Sequence, residues 1–277
     1  MRLVKIAATL LLLIATGPAV EMAEALDGTT GQTSATTTGP ARAPTSQPAS
    51  AMPNAELMHA LRLIREKQFD RARSKIEPLV AAYPEWSRAW LMLAMTYHEE
   101  QRYGMARPLF AKALALNPND HNARPFYGWC LYYLGAADEA RAQFEAFLKV
   151  NPQYADAHFA IGLIEYDDDN LDEAMRRFNR TIEIAKMSKD PRTEGKARAR
   201  SADVHIRRNE LTQARDELES AVRLRPDAYE AYHKLSRVYE RLGNRSKAEQ
   251  ARRMHDEIRE RMHPTSQPMG GAPETRD

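Results

Sequence analysis

Apolar, small and aromatic positions recur along most of this chain with a period of about 34 residues. In residues 87–120, the first predicted helix carries its apolar face at Trp90, Leu93, Ala94 and Tyr97. These spacings bring the four side chains to one side of a helix. A second predicted helix in the same stretch has a face of the same kind, formed by Ala106, Phe110 and Ala113. The stretch therefore predicts a helical hairpin that must stack on a neighbour to bury its apolar face.

The same pattern returns on both sides of this stretch, and it predicts six consecutive units. The matching positions are Ala60, Leu63, Ala72, Ile76, Leu79, Pro84, Tyr127, Gly128, Leu131, Ala140, Phe144, Pro152, Ile161, Gly162, Ala174, Phe178, Thr181, Ala202, Ala214, Leu218, Ala221, Pro226, Tyr232, Leu235, Tyr239 and Ala248. The predicted units are residues 53–86, 87–120, 121–154, 155–194, 195–228 and 229–262.

This pattern resembles the tetratricopeptide repeat. The resemblance covers residues 53–262 and implies an all-α, right-handed α-solenoid of six antiparallel helix-turn-helix units. Gly135, Gly243 and Asn209 stand at turns, where residues that accept a left-handed conformation are expected. Pro78 is the one proline predicted to lie inside a helix, which it should kink. Residues 187–191 predict a longer loop or lengthened helices, and the mostly charged second helix of the last unit predicts a solvated cap.

The first 25 residues have the organisation of a secretory signal peptide. Arg2 and Lys5 precede an apolar run over residues 6–16, and an Ala-x-Ala site ends at Ala25. The run is shorter than the ~20 residues that a spanning helix needs. We therefore expect export to the periplasm or the extracellular space, with an N-terminal membrane anchor as the alternative. No stable membrane insertion is expected after cleavage.

Residues 26–52 and 263–277 predict disordered segments, because they are rich in Thr, Ser, Ala, Gly and Pro and lack a hydrophobic period. The tetrapeptide Thr-Ser-Gln-Pro occurs in both, at residues 45–48 and 265–268. The net charge of +2 gives no basis for expecting a nucleic-acid partner.

Residues that would indicate catalysis or a cofactor are lacking in the sequence. Cys130 is the single cysteine, and its place between Trp129 and Leu131 predicts a small buried side chain, with an intermolecular disulfide bridge as the alternative. The histidines show no metal-binding spacing, and residues 167–169, three consecutive aspartates, predict a solvated turn because their carboxylates diverge. No enzymatic activity, metal or cofactor is therefore expected.

The resemblance implies a binding site on the concave wall formed by the first helices. The implied lining residues are Leu57, Leu61, Ile64, Leu91, Met95, Trp129, Tyr132, Tyr133, Phe159, Leu163, Tyr166, Lys196, Asp203, Arg207, His233, Arg237 and Arg241. An apolar strip of this size is typical of a binding surface, although helix-to-helix packing is the alternative. The positions that hold a carboxylate clamp in some members of the family carry Leu57, Leu61 and Met92, which disfavours that mode of binding.

These observations predict a scaffold or adaptor of the cell envelope that binds a protein or peptide segment in the concave groove. Apolar anchors are expected near Trp129, Tyr133 and Phe159, and acidic residues near Arg237 and Arg241. One alternative is a structural protein that self-associates as a homo-oligomer. Another is the recognition of a glycan or small ligand by the aromatic residues.

Overall fold

The computed structural model describes residues 54–263, which form twelve α-helices and no strand. The helices are α1 (Asn54–Arg65), α2 (Phe69–Ala82), α3 (Ser87–Glu99), α4 (Tyr103–Leu116), α5 (Ala123–Tyr133), α6 (Ala137–Leu148), α7 (Ala155–Asp167), α8 (Leu171–Ser188), α9 (Pro191–Arg207), α10 (Leu211–Leu224), α11 (Tyr229–Arg241) and α12 (Arg245–Met262). The predicted signal peptide, the linker at 26–52 and all but the first residue of the predicted tail lie outside the described residues. Within residues 54–263, no helix combines the length and the apolar character needed to cross a membrane.

The chain divides into two compact units between Val150 and Asn151. The first unit holds α1 to α6, which pair as three hairpins, and successive hairpins also contact one another. In each hairpin the second helix inserts one large side chain against the first. These side chains are Ile76, Phe110 and Phe144, and all three are fully buried.

The hairpin of α5 and α6 shows why small residues recur on the first helices. Gly128 lies directly against the ring of Phe144, and an added Cβ atom there would stand 2.8 Å from Phe144 Cζ. Atoms in a packed interior do not approach this closely, so the position needs a residue without a side chain. The sequence pattern thus reflects the close approach of the two helices.

The second unit holds α7 to α12 and has the same construction. Gly162 on α7 faces Phe178 on α8, and Leu218 on α10 is fully buried. Helix α12 keeps most of its length solvated and buries only Ala248, Ala251 and Ile258. The charged last helix therefore covers the unit as a cap, as its composition predicts.

The junction at residues 187–191 is made by lengthened helices rather than by a long loop. Helix α8 has 18 residues and α9 has 17. Lys189 adopts a left-handed conformation, and the Asp190 carboxylate accepts hydrogen bonds from the backbone N–H groups of Arg192 and Thr193. Pro191 occupies the first helical turn, where its missing N–H costs no hydrogen bond. A complete N-terminal cap thus starts α9 directly after α8.

The left-handed turn conformation that the sequence predicts is present at three positions, and other turn residues also have positive φ values. Gly135, Gly243 and Asn209 have φ values of 76°, 76° and 62°. Four more turn residues have positive φ without being glycine or asparagine: Lys67, Gln101, Asp169 and Lys189.

The proline prediction needs a correction. Pro78 lies inside α2, which continues to Ala82, but Pro108 also lies inside α4. Both are exposed on second helices.

Candidate functional site

Four aromatic side chains of the first unit lie together on α4 and α5, and we call them the aromatic face: Tyr103, Trp129, Tyr132 and Tyr133. Tyr133 is central, because its ring stacks on Tyr103 with centroids 4.6 Å apart and on Trp129 at 5.8 Å. Tyr132 meets Trp129 edge to face at 5.7 Å. All four are half-buried. The rings fix one another's orientation, so the face is a preformed surface.

Buried groups pack against the aromatic face and support it. Trp129 meets the fully buried Phe144 edge to face at 5.6 Å. The Cys130 thiol donates a hydrogen bond to the backbone carbonyl of Tyr103 across 3.3 Å, which links α5 to the start of α4. Burial raises the pKa of Cys130 to about 12, and burial with the nearby Tyr133 raises the pKa of Tyr103. Both groups are neutral at physiological pH, so the face offers ring surfaces and uncharged polar atoms.

Tyr103 is absent from the predicted lining residues. It lies on a second helix, whereas the resemblance implies a site on first helices only. The stacking arises because Tyr103 starts α4 at the level where α5 ends with Tyr133. The sequence carries no separate signal for it, since large residues also stand first in other second helices, at Phe69, Leu171 and Leu211.

Six of the predicted apolar lining residues are buried in the units. Their relative exposure is between 1% and 6%, and they are Leu57, Leu61, Ile64, Leu91, Met95 and Leu163. In the first unit α1 contacts α3 and α3 contacts α5, and this packing of neighbouring first helices covers the side chains. The expectation that these residues line an open groove is therefore corrected, and they belong to the core.

In the second unit, Phe159 and Tyr166 are half-buried on α7. Phe159 packs against Phe178 with ring centroids 5.9 Å apart. The Arg207 guanidinium lies 3.8 Å from the centre of the Tyr166 ring and donates to the Tyr166 carbonyl across 2.7 Å. It also pairs with Asp169 at 2.9 Å. Arg207 therefore ties α9 to the end of α7 and uses its charge inside the unit.

The remaining predicted residues lie on α11 and form a basic stripe of His233, Arg237 and Arg241, all of them exposed. Burial and the neighbouring His255, followed by nearby cationic side chains, lower the pKa of His233, so its ring is neutral near pH 7. Arg241 donates to the Asn209 side-chain oxygen across 2.5 Å. Arg237 takes part in no ion pair within residues 54–263. The stripe thus presents one unpaired and one hydrogen-bonded guanidinium to solvent.

Lys196 and Asp203 lie further inside the second unit. Asp203 is nearly buried and accepts from Lys234 Nζ at 2.7 Å and from Arg200 at 3.1 Å. Burial lowers the pKa of Lys196. Asp203 therefore uses its charge inside the unit, and Lys196 is half-buried rather than displayed on an open surface.

A polar depression of about 830 Å³ lies at the turns of the second unit. It is lined by Glu165, Asp169, Asn170, Leu171, Asp172, Glu173, Arg176, Arg208 and Glu210. Each carboxylate has a partner: Asn170 donates to Glu165, and the others pair with Arg207, Arg208, Arg176 with Arg177, and His205. Three of the carboxylates are paired with arginine side chains, and the described part of the chain has no group of three His, Cys, Asp or Glu side chains arranged to hold a metal ion.

Solved structures with the same fold cover most of this chain at low sequence identity. PilW, described as a widely conserved type IV pilus biogenesis factor, has a TM-score of 0.64 at 20% identity, over 77% of this chain and 94% of its own. PilF of Pseudomonas aeruginosa has a TM-score of 0.62 at 16% identity, over 77% and 92%. YrrB, described as a TPR protein with an unusual peptide-binding site, has a TM-score of 0.51 at 17% identity, over 66% and 91%. These likenesses show the fold.

Among curated protein sequences, none gives a significant match to this chain. The family profile described as tetratricopeptide repeat matches residues 57–121, 128–188 and 200–257, which together make up more than half of the sequence. Proteins of this family bind protein or peptide partners. The paired helices, the buried residues on second helices and this match agree, and the chain belongs to the tetratricopeptide repeat family.

Proposed function

We propose that this chain is an exported, non-catalytic adaptor of the cell envelope, built from six repeats, that binds a polypeptide segment on the aromatic face of its first unit. The single observation that carries the proposal is the stacked arrangement of Tyr103, Tyr133 and Trp129, with Tyr132 at its edge. Preoriented aromatic side chains bury a large area at a small cost in side-chain entropy, which is why they are enriched among binding hot spots.

The chemistry of the face favours apolar or proline-containing segments. Its four rings are neutral, and the indole N–H and phenol groups supply polar atoms at the edges of an otherwise apolar surface. Such a surface binds side chains by stacking and orients a backbone by hydrogen bonds. Charged segments meet no complementary charge on the four rings themselves. Acidic segments have a complementary charge in the basic stripe on α11, where Arg237 and Arg241 would form ion pairs with acidic residues of the same or another partner.

The adaptor proposal is tested by affinity capture from envelope extract with the chain and two single variants. Trp129→Ala removes the largest ring of the aromatic face, whereas Trp90→Ala removes the same residue type from the first unit outside that face. Both variants are first matched for helical content by circular dichroism. We expect a discrete protein that the native chain and Trp90→Ala retain and Trp129→Ala loses. Retention by all three chains would refute the aromatic face as the binding site.

The basic stripe is tested separately by Arg237→Ala. Because Arg237 is exposed and unpaired among the described residues, this change should leave stability unchanged. If an acidic segment binds there, capture should weaken and lose part of its salt dependence. Capture that is unchanged at both low and high salt would exclude the stripe.

Export has its own measurement. The proposal predicts that the chain recovered from the envelope fraction begins at Leu26, because the Ala-x-Ala site ends at Ala25. Intact-mass analysis of that fraction distinguishes cleavage from a retained N-terminal anchor. The alternative of self-association has a separate test. A self-assembling protein would show a mass that rises with protein concentration in light scattering.

A further inference from the structure

The two segments that flank the helical hairpins share more than one tetrapeptide. Residues 44–53 read PTSQPASAMP, and residues 264–273 read PTSQPMGGAP. Both therefore have the pattern PTSQPxxxxP, with all three prolines in register. One copy ends directly before α1 starts at Asn54, and the other starts directly after His263. Two stretches of biased composition would share residue types, whereas the shared order and spacing indicate a common recognition element.

We propose that the first copy, residues 44–53, binds the aromatic face of the first unit of its own chain and competes there with the outside partner. This inference rests on the proposed function, because it names an occupant of the same face. The segment belongs to the class of ligand that such a face accepts. Proline-rich segments adopt an extended conformation before they bind, and aromatic-lined surfaces recognise their proline rings.

The distance from the segment to the face fits its length. Helices α1, α3 and α5 are successive neighbours in the first unit, and packed helix axes are about 10 Å apart, so α5 lies about 20 Å from α1. Trp129 is the seventh residue of α5, about 9 Å from its start at about 1.5 Å per residue. The path from Asn54 to Trp129 is thus about 22 Å. A ten-residue chain can span about 31 Å at 3.1 Å per residue, so Pro44 can reach past Trp129, whereas Pro48 can reach about 19 Å, just short of it.

Attachment to α1 makes even a weak contact effective. A short flexible connection gives a tethered ligand an effective concentration of about 1 mM. If the free segment has a dissociation constant of about 100 µM, the tethered copy weakens the binding of a competing peptide about tenfold. The tether therefore sets a threshold that a true partner has to exceed. Pro44 and Pro48 belong to the chain whether or not the signal peptide is removed.

The test uses the full chain and a fluorescein-labelled synthetic peptide, PTSQPASAMP, with binding followed by fluorescence anisotropy. The chain variant Pro44→Ala/Pro48→Ala disables the tethered copy, and Pro40→Ala is the matched control, since Pro40 lies in the same segment outside the repeated pattern. We expect the peptide to bind the double variant about tenfold more tightly than it binds the native chain or Pro40→Ala. The unlabelled peptide PTSQPMGGAP should compete, because it shares the pattern.

A second measurement follows the aromatic face directly. The indole N–H resonance of Trp129, assigned with Trp129→Phe, should shift in the NMR spectrum of Pro44→Ala/Pro48→Ala and stay in place in Pro40→Ala. Equal peptide affinity for all chains, or binding to none of them, overturns the inference. In either case capture of a partner by the native chain and its loss in Trp129→Ala would still support the proposed function, so the two failures are distinguishable.

Discussion

The contact between Gly128 and Phe144 gives the most direct prediction from the structure. In Gly128→Ala, the new methyl group would stand 2.8 to 2.9 Å from three atoms of the Phe144 ring. Phe144 is fully buried, so its ring can move only if the residues packed around it also move. Overpacking of this kind costs about 1–3 kcal/mol. Alanine in a helix gains about 0.5–1 kcal/mol over glycine. The net expectation is a loss of up to about 2.5 kcal/mol.

Gly104→Ala is the matched control, because it makes the same chemical change in the same unit. Gly104 lies in α4, and an added Cβ there would meet no atom within 4 Å. This variant should therefore be as stable as the native chain or more stable, by up to about 1 kcal/mol. Gly104 is the second residue of α4 and Gly128 lies in the middle of α5, so the difference between the variants contains the steric cost and a smaller difference in helix propensity.

The assay is urea denaturation of the full chain followed by circular dichroism, with the midpoints of the three chains compared. Phe144→Leu in combination with Gly128→Ala completes a double-mutant cycle. The smaller side chain should relieve part of the conflict, with a coupling energy of about 0.5–3 kcal/mol. A midpoint for Gly128→Ala that rises as far as that of Gly104→Ala would refute the packing argument.

Three further predictions concern groups buried in the units. Burial lowers the pKa of His158, so the unfolded chain binds a proton at this residue before the folded chain does, and stability should fall as pH drops below about 6.5. The change in urea midpoint between pH 7 and pH 5 should be smaller in His158→Gln than in the native chain. An equal change in the two chains would contradict this. Asp203→Asn should cost about 1–3 kcal/mol, because Lys234 loses a charged partner at a nearly buried position; Lys234→Met in the same background should then cost less than it does alone. Cys130 should resist a maleimide at pH 8 in the folded chain and react once urea unfolds it, since burial raises its pKa to about 12; rapid labelling without urea would show an open first unit.

The core of this fold could be predicted from spacing because each buried position repeats. Phe110, Phe144 and Phe178 occupy equivalent positions, and all three are fully buried. The small residues opposite them follow from the same close approach. Repetition makes the pattern visible, since an apolar residue that is present by chance would not recur at the same position of every hairpin.

The candidate site was less predictable, for a physical reason. The side of a first helix that could face a partner also faces the next first helix, and both environments favour apolar residues. Leu91 and Met95 thus have the same sequence signature as Trp129, yet they are buried and Trp129 is half-buried. Tyr103 shows the opposite case, where contact between hairpins brings a residue from a second helix to the site.

The left-handed turn residues have a consequence for engineering. Lys67, Gln101 and Asp169 each hold a positive φ that costs a residue with a side chain about 1 kcal/mol or more. Glycine, already present at Gly135 and Gly243, has no such cost. In a repeat array the energies of neighbouring hairpins add approximately. Replacing each of these three residues by glycine should therefore raise the stability of the chain independently, and all three turns lie outside the surface that we propose for partners.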